Sequence, residues 1–370
     1  MKKGEIFEKE GLRTLRLEGS PYEMGYQHGR ALKNEMKYLA SNLGRLFGKY
    51  EGILGRLAIP IFRQLVKKMK HQIPEEFQEE IKGIADASGV KENDILLINL
   101  TEEFGAIFYL YLKPFIPFLK CSAFVSKDAE GNIIWGRNLD YLFYEDLPSR
   151  SVLFVYLPDQ GFPFISLGWP AVIGAPTAIS KDFSLILLSS PARTNRIFSG
   201  IPQEILTRQV IQYSQNLDEA VKKIISAQAT VGQNLVLVSQ NDAKVVEISP
   251  IKKTVRSFDT NEYINVTNHF QVKEMEKEQG IYFKPENSLI SDDFYTLEGS
   301  KRRQKKMEDF IKNNKIDPQK GMEVLNAVAG AGTVQSVVCI PQKEEFWVAK
   351  RNQSPVTKGE WIHFQIDDLL

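Results

Sequence analysis

The residue best suited to covalent chemistry in this sequence is a cysteine at the start of a predicted β-strand. Cys121 opens a β-rich run, and a turn-forming hexapeptide at 127–132 then folds the chain back, so that Arg137 and Asp140 return toward it. A guanidinium held beside a thiol lowers the thiol pKa and increases the fraction of thiolate, the form that attacks carbonyl carbons. A carboxylate in the same place can hold and orient an amine. Side chains alternate between the faces of a straight strand, so we expect a bend at 138–139 that brings both groups to one site.

The elements that must position these residues change character at Cys121. Beyond it the chain is a series of short β-rich runs with helices between them. The predicted strands are 121–126, 133–137, 151–157, 164–167, 184–189, 235–239, 244–248, 262–267, 335–340 and 345–349, and the predicted helices are 202–213, 217–227, 299–313 and 318–328. Many strands of antiparallel character with interspersed helices indicate an α+β layered domain over residues 121–370.

Residues 1–120 are predicted to form a mostly helical N-terminal segment. One short strand comes first, and helical stretches with recognisable start and stop signals follow it. These elements are a strand at 12–17, a helix that begins at Ser20-Pro21, a helical stretch at 40–70 that breaks near Pro60, a helix from Pro74 that ends at Gly89, and the run 94–99, which fits a helix or a buried strand.

Composition narrows the possible partners and the compartment. The 47 Lys and Arg residues nearly balance the 46 Asp and Glu residues, so net charge gives no argument for a nucleic-acid partner. The basic run 301–306 is interpreted as a solvated helix face, because no aromatic residues interleave it. The two cysteines, Cys121 and Cys339, are interpreted as free thiols in a reducing compartment. The charged first ten residues lack the apolar run of a signal peptide, which predicts a cytoplasmic location.

One apolar and aromatic stretch, 106–119, comes near to a membrane signal. It contains Lys113, Pro114 and Pro117 and is shorter than the roughly 20 residues that a transmembrane helix needs, so no transmembrane segment is predicted. A buried or pocket-lining segment is the simplest interpretation. A second is an apolar rim that admits a fatty acyl chain.

Several motifs, taken in order, resemble known enzymes. The spacing from Cys121 to Gly-Arg-Asn-Leu-Asp at 136–140 resembles the choloylglycine hydrolase and penicillin V acylase group, which is related to acid ceramidase and the N-acylethanolamine-hydrolysing amidases. The N-terminal runs 19–29 and 79–90 resemble the propeptide signature of the isopenicillin-N acyltransferase family. Thr-Asn-His-Phe at 267–270 and the strands around 336–349 resemble later elements of that family. The likeness extends from about residue 12 to the end.

This resemblance implies a fold and a maturation step. The implied fold is the four-layer αββα sandwich of the N-terminal-nucleophile hydrolases, with 1–120 as a propeptide or small subunit and 121–370 as the catalytic domain. The chain would cut itself between Lys120 and Cys121. The α-amine of Cys121 would then serve as the general base for its own thiol.

The resemblance also implies a role for each site residue. Cys121 would be the nucleophile, with Arg137 and Asp140 orienting the thiolate and the amine. Asn268 would donate its side-chain amide to the oxyanion. Arg303, or its neighbour Arg302, would lie close to the nucleophile.

The sequence departs from the relatives in the second oxyanion donor. Where the bile-salt and penicillin enzymes place another asparagine, this chain has Ser189-Ser190-Pro191. Ser189, Ser190 and His269 are therefore kept as further candidates for substrate or oxyanion contacts. The implied reaction attacks an acyl amide through a thioester and needs no cofactor.

Alternatives to this reading remain open. His28 or His269 could form a Cys–His dyad with Cys121, since such a pair needs only spatial proximity. The scattered histidines show no metal-ligand spacing, so no metal is predicted. The other functions considered are a lipid amidase or phospholipase-like hydrolase, and an unprocessed relative that binds a ligand without turning it over. The oligomeric state is left open.

Overall fold

The fold of this chain is seen in a computed structural model that describes residues 2–43, 53–111, 120–141, 146–258, 263–280 and 296–370. Two β-sheets pack face to face, and helices cover their outer faces. The strands are β1 (Ile6–Lys9), β2 (Leu12–Gly19), β3 (Lys120–Lys127), β4 (Ile133–Asp140), β5 (Val152–Pro158), β6 (Phe164–Gly168), β7 (Thr177–Ile179), β8 (Phe183–Ser189), β9 (Gln233–Ser239), β10 (Ala243–Ile248), β11 (Lys253–Ser257), β12 (Tyr263–Val266), β13 (Thr333–Ile340), β14 (Glu345–Lys350) and β15 (Glu360–Gln365).

The described helices form the outer layers. They are α1 (Pro21–Ala31), α2 (Lys33–Ser41), α3 (Ile53–Met69), α4 (Glu75–Ser88), α5 (Glu92–Asn99), α6 (Thr101–Tyr111), α7 (Gln203–Tyr213), α8 (Leu217–Ser226), α9 (Leu297–Asn313) and α10 (Pro318–Ala327). The helices α9 and α10 pack on one sheet, whereas α1, α7 and α8 pack on the other. The predicted α+β class and the four-layer αββα order are confirmed.

The two sheets differ in size and in connectivity. The nine-stranded sheet has the order β1-β2-β5-β6-β7-β8-β9-β10-β11, and the six-stranded sheet has the order β12-β3-β4-β13-β14-β15. Their facing sides enclose the main apolar core, to which β3 and β8 contribute at the centre. A second cluster, which includes Phe124 and Leu325, fills the space between the six-stranded sheet and α9 and α10. Strands β3 and β4 are therefore both buried on their two faces.

The hairpin that begins with Cys121 is regular along its whole length. Residue pairs run without a break from Lys120 opposite Asp140 to Lys127 opposite Ile133. The expected bend at 138–139 is wrong: the irregularity lies in the neighbouring strand β13, where the register shifts between Thr333 and Gln335. A residue inserted in one strand disturbs that strand and leaves its partner able to continue.

Most predicted elements have structural counterparts, with one difference in the N-terminal segment. Ser20 caps α1 with a reciprocal capping box, and Gly89 ends α4 at a φ of 74°. The run at 94–99 is helical. The expected break at Pro60 is wrong, because α3 continues through it. A proline inside a helix removes one backbone hydrogen bond. The helix continues because it buries Phe62, Val66 and Met69 against the core, and this packing offsets the loss.

The N-terminal segment also contributes to the larger sheet. Strand β2 pairs in parallel with β5, with Arg13 opposite Val152, and β1 adds to its free side. A buried ion pair also joins the N-terminal segment to the rest of the chain: Arg208 Nη2 on α7 lies 2.9 Å from Glu80 Oε2 on α4. The division into 1–120 and 121–370 stays a prediction, but the two parts share one sheet and one core.

Candidate active site

The thiol of Cys121 lies between the two sheets beside a fixed guanidinium. Its exposed fraction is 1%. Arg137 Nη2 donates to Cys121 Sγ over 3.4 Å and to the carbonyl of Leu187 over 3.1 Å, while Nη1 donates to Thr177 Oγ1. These bonds to strands β7 and β8 fix the guanidinium against the sulfur.

The expected depression of the thiol pKa is wrong for this arrangement. Burial raises the pKa of Cys121, although Arg137 opposes that rise, and the negative charges of Asp140 and Glu102 add to it. Removing a thiolate from water costs more here than one buried guanidinium returns. The direction of this pKa shift favours the neutral thiol over the thiolate.

The backbone N–H of Cys121 is held separately from the thiol. It donates to Asn268 Oδ1 over 2.9 Å, and Arg303 Nη2 donates to the same oxygen over 2.8 Å. The amide nitrogen Nδ2 of Asn268 donates to the Ser189 carbonyl over 2.7 Å. This side chain thus joins the peptide before Cys121 to the end of strand β8.

Arg303 completes this side of the site from helix α9. Its Nε donates to Ser122 Oγ over 3.2 Å, and its Nη2 reaches the Cys121 carbonyl at 3.5 Å. The arginine is 5% exposed. Arg302 is exposed on the same helix, whereas Arg303 is buried and its Nη2 lies within reach of Cys121.

Asp140 lies opposite Lys120 at the end of the hairpin. Its Oδ1 accepts a 2.5 Å hydrogen bond from Thr333 Oγ1, whereas its Oδ2 is buried and has no hydrogen-bond partner in the described part of the chain. Burial raises the pKa of Asp140 to about 6, against the lowering effects of Arg303 and Thr333. A buried carboxylate oxygen without a donor is costly, and it is a suitable acceptor for a nearby amine.

Lys120 is an unusual residue in this position because it is almost fully buried. Its exposed fraction is 3%. Burial, followed by repulsion from Arg303, lowers its pKa to about 7, while Glu102 and Cys121 act in the opposite direction. Both residues that flank the predicted cleavage point are therefore enclosed by protein.

Ser189 and Ser190 end strand β8 at the rim of a pocket. Ser189 Oγ donates to Glu102 Oε2 over 2.7 Å, and Ser190 Oγ accepts from Asn234 Nδ2 over 2.8 Å. Both serines line the pocket together with Glu102, Asn195 and several small or apolar residues. The Ser189 carbonyl also accepts from Asn268, which connects the lining of the pocket to the side chain that accepts from the Cys121 N–H.

The remaining candidates lie apart from the thiol. The ring Nδ1 of His269 is within hydrogen-bonding distance of Thr267 Oγ1 and Ser300 Oγ, and burial lowers its pKa to about 4. His28 is buried in α1 against the Phe154 ring, and burial lowers its pKa to about 3. Neither ring has a hydrogen bond to Cys121 within the described ranges. Cys339 is a buried thiol on β13.

Three residues of the site were missed from the sequence. Thr177 and Glu102 gave no local signal, since each reaches the site through a residue that is distant in the chain. Thr333 was closer to detection, because it follows a Gly-Ala-Gly run that suits a close backbone approach. Gly330 donates its N–H to Thr333 Oγ1 over 2.9 Å, which orients that hydroxyl toward Asp140.

The described part of the chain shows neither a metal-binding cluster nor a helix suited to cross a membrane. Within the described ranges, no group of three or more His, Cys, Asp or Glu side chains is arranged to hold a metal ion. Of the helices that the structure describes, none combines the length and the apolar character needed to cross a membrane. Most of the apolar stretch 106–119 lies outside the described residues, which end here at 111.

Comparison with known proteins gives several similarities. An uncharacterized protein of Archaeoglobus fulgidus is 26% identical over 367 residues, which cover 85% of this chain and 58% of that protein. The 40 kDa form of acyl-coenzyme A:6-aminopenicillanic-acid-acyltransferase from Emericella nidulans is 26% identical, over 68% of each chain. Acid ceramidase of Balaenoptera acutorostrata scammoni is 21% identical, over 56% of this chain and 55% of its own.

The chain spans between 51% and 60% of the length of the first curated relatives that it matches. A solved structure described as a Caenorhabditis elegans N-acylethanolamine-hydrolyzing acid amidase ortholog matches with a TM-score of 0.46 and 19% identity. The match covers 60% of this chain and 93% of that chain.

A protein-family model gives the decisive match. The model for acyl-coenzyme A:6-aminopenicillanic acid acyl-transferase matches residues 127–331, which is more than half of the 370 residues. This range begins after Cys121 and contains Arg137, Asp140, Asn268 and Arg303. The chain therefore belongs to the acyl-coenzyme A:6-aminopenicillanic acid acyl-transferase family.

Proposed function

We propose that this protein is a self-cleaving cysteine amidohydrolase or acyltransferase that acts on acyl amides, with Cys121 as its nucleophile. One observation carries the proposal. The thiol and the peptide N–H of Cys121 are each held in the same buried site, by Arg137 and Asn268 respectively. A cysteine buried only for packing needs neither contact. The relatives that are named as an acyltransferase and as a ceramidase support acyl chemistry at carbon–nitrogen bonds.

The proposed maturation begins in the uncut chain. Cys121 Sγ attacks the Lys120 carbonyl carbon, the Lys120–Cys121 C–N bond breaks, and a thioester forms while the α-amine of Cys121 is released. Water then hydrolyses the thioester, which leaves a carboxylate on Lys120 and restores the thiol. The Oδ2 atom of Asp140, which lacks a partner, is the proposed acceptor for the new amine.

The proposed turnover repeats this path on a substrate. The α-amine takes the thiol proton, the thiolate attacks the acyl carbonyl, and Asn268 donates an N–H to the developing oxyanion. The amine portion leaves with the proton, and water or a second amine then cleaves the thioester. Arg137 is proposed to hold the sulfur, and Arg303 to hold Asn268 in place through its 2.8 Å bond.

We further propose that the 1–120 fragment stays with the 121–370 fragment after cleavage. Strand β2 of the first pairs with β5 of the second, and Glu80 on α4 pairs with Arg208 on α7 in a fully buried ion pair. Separating the fragments would expose a sheet edge and two buried charges.

The test of this function is a panel of acyl 4-nitroanilides with acetyl, hexanoyl and dodecanoyl groups. The wild-type protein should release 4-nitroaniline from at least one of them, and hydroxylamine should capture the acyl group as a hydroxamate from the thioester. Cys121→Ala should do neither, whereas Cys339→Ala serves as the matched control and should keep activity. Turnover that persists in Cys121→Ala, or a properly folded wild type that binds but never cleaves acyl amides, would contradict the proposal.

A further inference from the structure

We propose that Asn234 is a positioning residue that aligns Asn268, the proposed oxyanion donor, and holds the Ser190 hydroxyl as a second donor. The inference rests on the proposed function for what the site does. Asn234 contacts neither the thiol nor the pocket directly. It acts through one side-chain amide that joins the end of strand β8 to the turn that follows β12.

The geometry of this amide is specific. Asn234 lies on β9, is fully buried, and pairs with Leu188 of β8. Its Nδ2 donates to Ser190 Oγ over 2.8 Å and lies 3.1 Å from the Thr267 carbonyl and 3.0 Å from the His269 carbonyl. Two N–H bonds thus serve three acceptors, which requires one of them to be shared.

The first consequence concerns Asn268. The Thr267 carbonyl belongs to the peptide that precedes Asn268, and the His269 carbonyl to the peptide that follows His269, so one peptide on each side of Asn268 is tied to strand β9. The side chain between them must reach the Cys121 N–H with Oδ1 and the Ser189 carbonyl with Nδ2. Fixing the two peptides limits how far this amide can turn.

The second consequence concerns Ser190. Its backbone N–H is used by the Gly232 carbonyl over 3.1 Å, and its Oγ accepts from Asn234. A hydroxyl that accepts one hydrogen bond still has its own hydrogen to donate. Because Ser190 lines the pocket and its Oγ accepts from Asn234, we expect that hydrogen to be available to an acyl carbonyl oxygen bound beside it.

The other end of the Asn234 amide supports a role beyond packing. Its Oδ1 is buried and has no hydrogen-bond partner among the residues that the structure describes. An unsatisfied buried acceptor lowers stability, a loss that an apolar residue of similar size would avoid. An apolar residue could not make the three contacts of Nδ2, and these contacts explain an asparagine at this position.

The test compares Asn234→Ala with Asn99→Ala. Asn99 is a matched control because its buried side-chain amide also donates to two backbone carbonyls, those of Ile95 and Ala171. Neither carbonyl belongs to a residue of the candidate active site. Both variants should lose thermal stability. Only Asn234→Ala should lower kcat per folded molecule, at least tenfold, with KM for the best 4-nitroanilide within threefold of the wild-type value.

Two further variants separate positioning from a general loss of structure. Ser190→Ala should lower kcat at least threefold, and adding it to Asn234→Ala should have little further effect, because Asn234 acts partly through that hydroxyl. If Asn234→Ala does not fold, Ser190→Ala alone decides: wild-type kcat in that variant overturns the inference. Equal kcat in the Asn234→Ala and Asn99→Ala variants also overturns it while leaving the proposed function intact, whereas an inactive wild type overturns both.

Discussion

Two regions of this molecule carry motifs that resemble the same group of enzymes: the N-terminal segment and the hairpin that begins at Cys121. In the structure the two motifs serve different purposes. In the N-terminal segment the motif residues lie where helices α1 and α4 cross. A Cβ added to Gly25 would lie 2.0 Å from the Glu80 carbonyl oxygen, and one added to Gly83 would lie 2.2 Å from the Tyr22 carbonyl oxygen. These glycines allow two backbones to touch, so this motif describes packing.

The region around Cys121 differs in what its buried polar groups surround. Among the described residues, Asp140 Oδ2 and Arg137 Nε are buried without a hydrogen-bond partner close to the Cys121 thiol. The N-terminal motif also buries such atoms, the two ring nitrogens of His28, but that ring packs against Phe154. The comparison teaches that a shared motif becomes evidence for chemistry only where it brings unsatisfied polar groups to a reactive atom.

The largest expected effect breaks the packing region. Gly83→Ala should lower the free energy of unfolding by more than about 3 kcal/mol, because its Cβ meets backbone that cannot move aside. Urea denaturation measures this loss. Gly89→Ala is the control on the same helix: nothing lies within 4 Å of its Cβ, so only the left-handed φ of 74° is strained, at about 1 kcal/mol. Equal losses would contradict the packing account.

A change in the chemical region should act on rate instead. Asn268→Asp keeps the shape and the acceptor for Arg303, but it removes the N–H donor. We expect kcat to fall by roughly 10²–10³-fold, which corresponds to about 3–4 kcal/mol of barrier. Steady-state kinetics on the 4-nitroanilides measures this, with circular dichroism to confirm the fold. A fall of less than fivefold would remove Asn268 from the proposed oxyanion site.

The buried carboxyl of Asp140 predicts a pH dependence of stability. Its pKa of about 6 in the folded chain exceeds the value near 3.9 of an unfolded aspartate, so the folded state binds the proton more tightly. The stabilisation of the folded state by this proton is present below about pH 4 and is lost as the pH rises through 6. Relative to Asp140→Asn, the wild type should lose on the order of 2–3 kcal/mol of unfolding free energy between pH 4 and 7. Parallel pH curves for the two proteins would contradict this.

The smallest contrast concerns two adjacent arginines. Arg303→Ala removes the contacts with Asn268 and Ser122 and should lower kcat per folded molecule at least tenfold. Arg302→Ala changes an exposed residue of the same helix and should leave kcat within twofold. Steady-state kinetics of the two variants measures this difference. Similar kcat values for Arg302→Ala and Arg303→Ala would contradict a role for Arg303 in the proposed active site.

Much of the secondary structure could be predicted because its signals are local. The hairpin of β3 and β4 follows from a polar turn between apolar runs, and the start of α1 follows from Ser20 and Pro21. The parallel pairing of β2 with β5 could not be predicted, because it joins residues about 140 positions apart. No local pattern specifies such a contact.

The site was predictable in its residue types but not in its energetics. Arg137 was expected beside Cys121, and the structure brings the two together. The direction of the thiol pKa was wrong, because it depends on how deeply both sheets bury the sulfur, and a sequence pattern does not contain that depth. Glu102 was missed for the same reason, since its charge reaches Cys121 only through the tertiary fold.

The most direct test of the central claim is the intact mass of the purified full-length protein together with that of its Cys121→Ala variant. The account predicts that wild type separates under denaturing conditions into two chains, 1–120 and 121–370, with cysteine as the first residue of the second, and that Cys121→Ala remains one chain. A wild-type chain that stays uncut while hydrolysing acyl amides, or a Cys121→Ala variant that is still cut after Lys120, would contradict it.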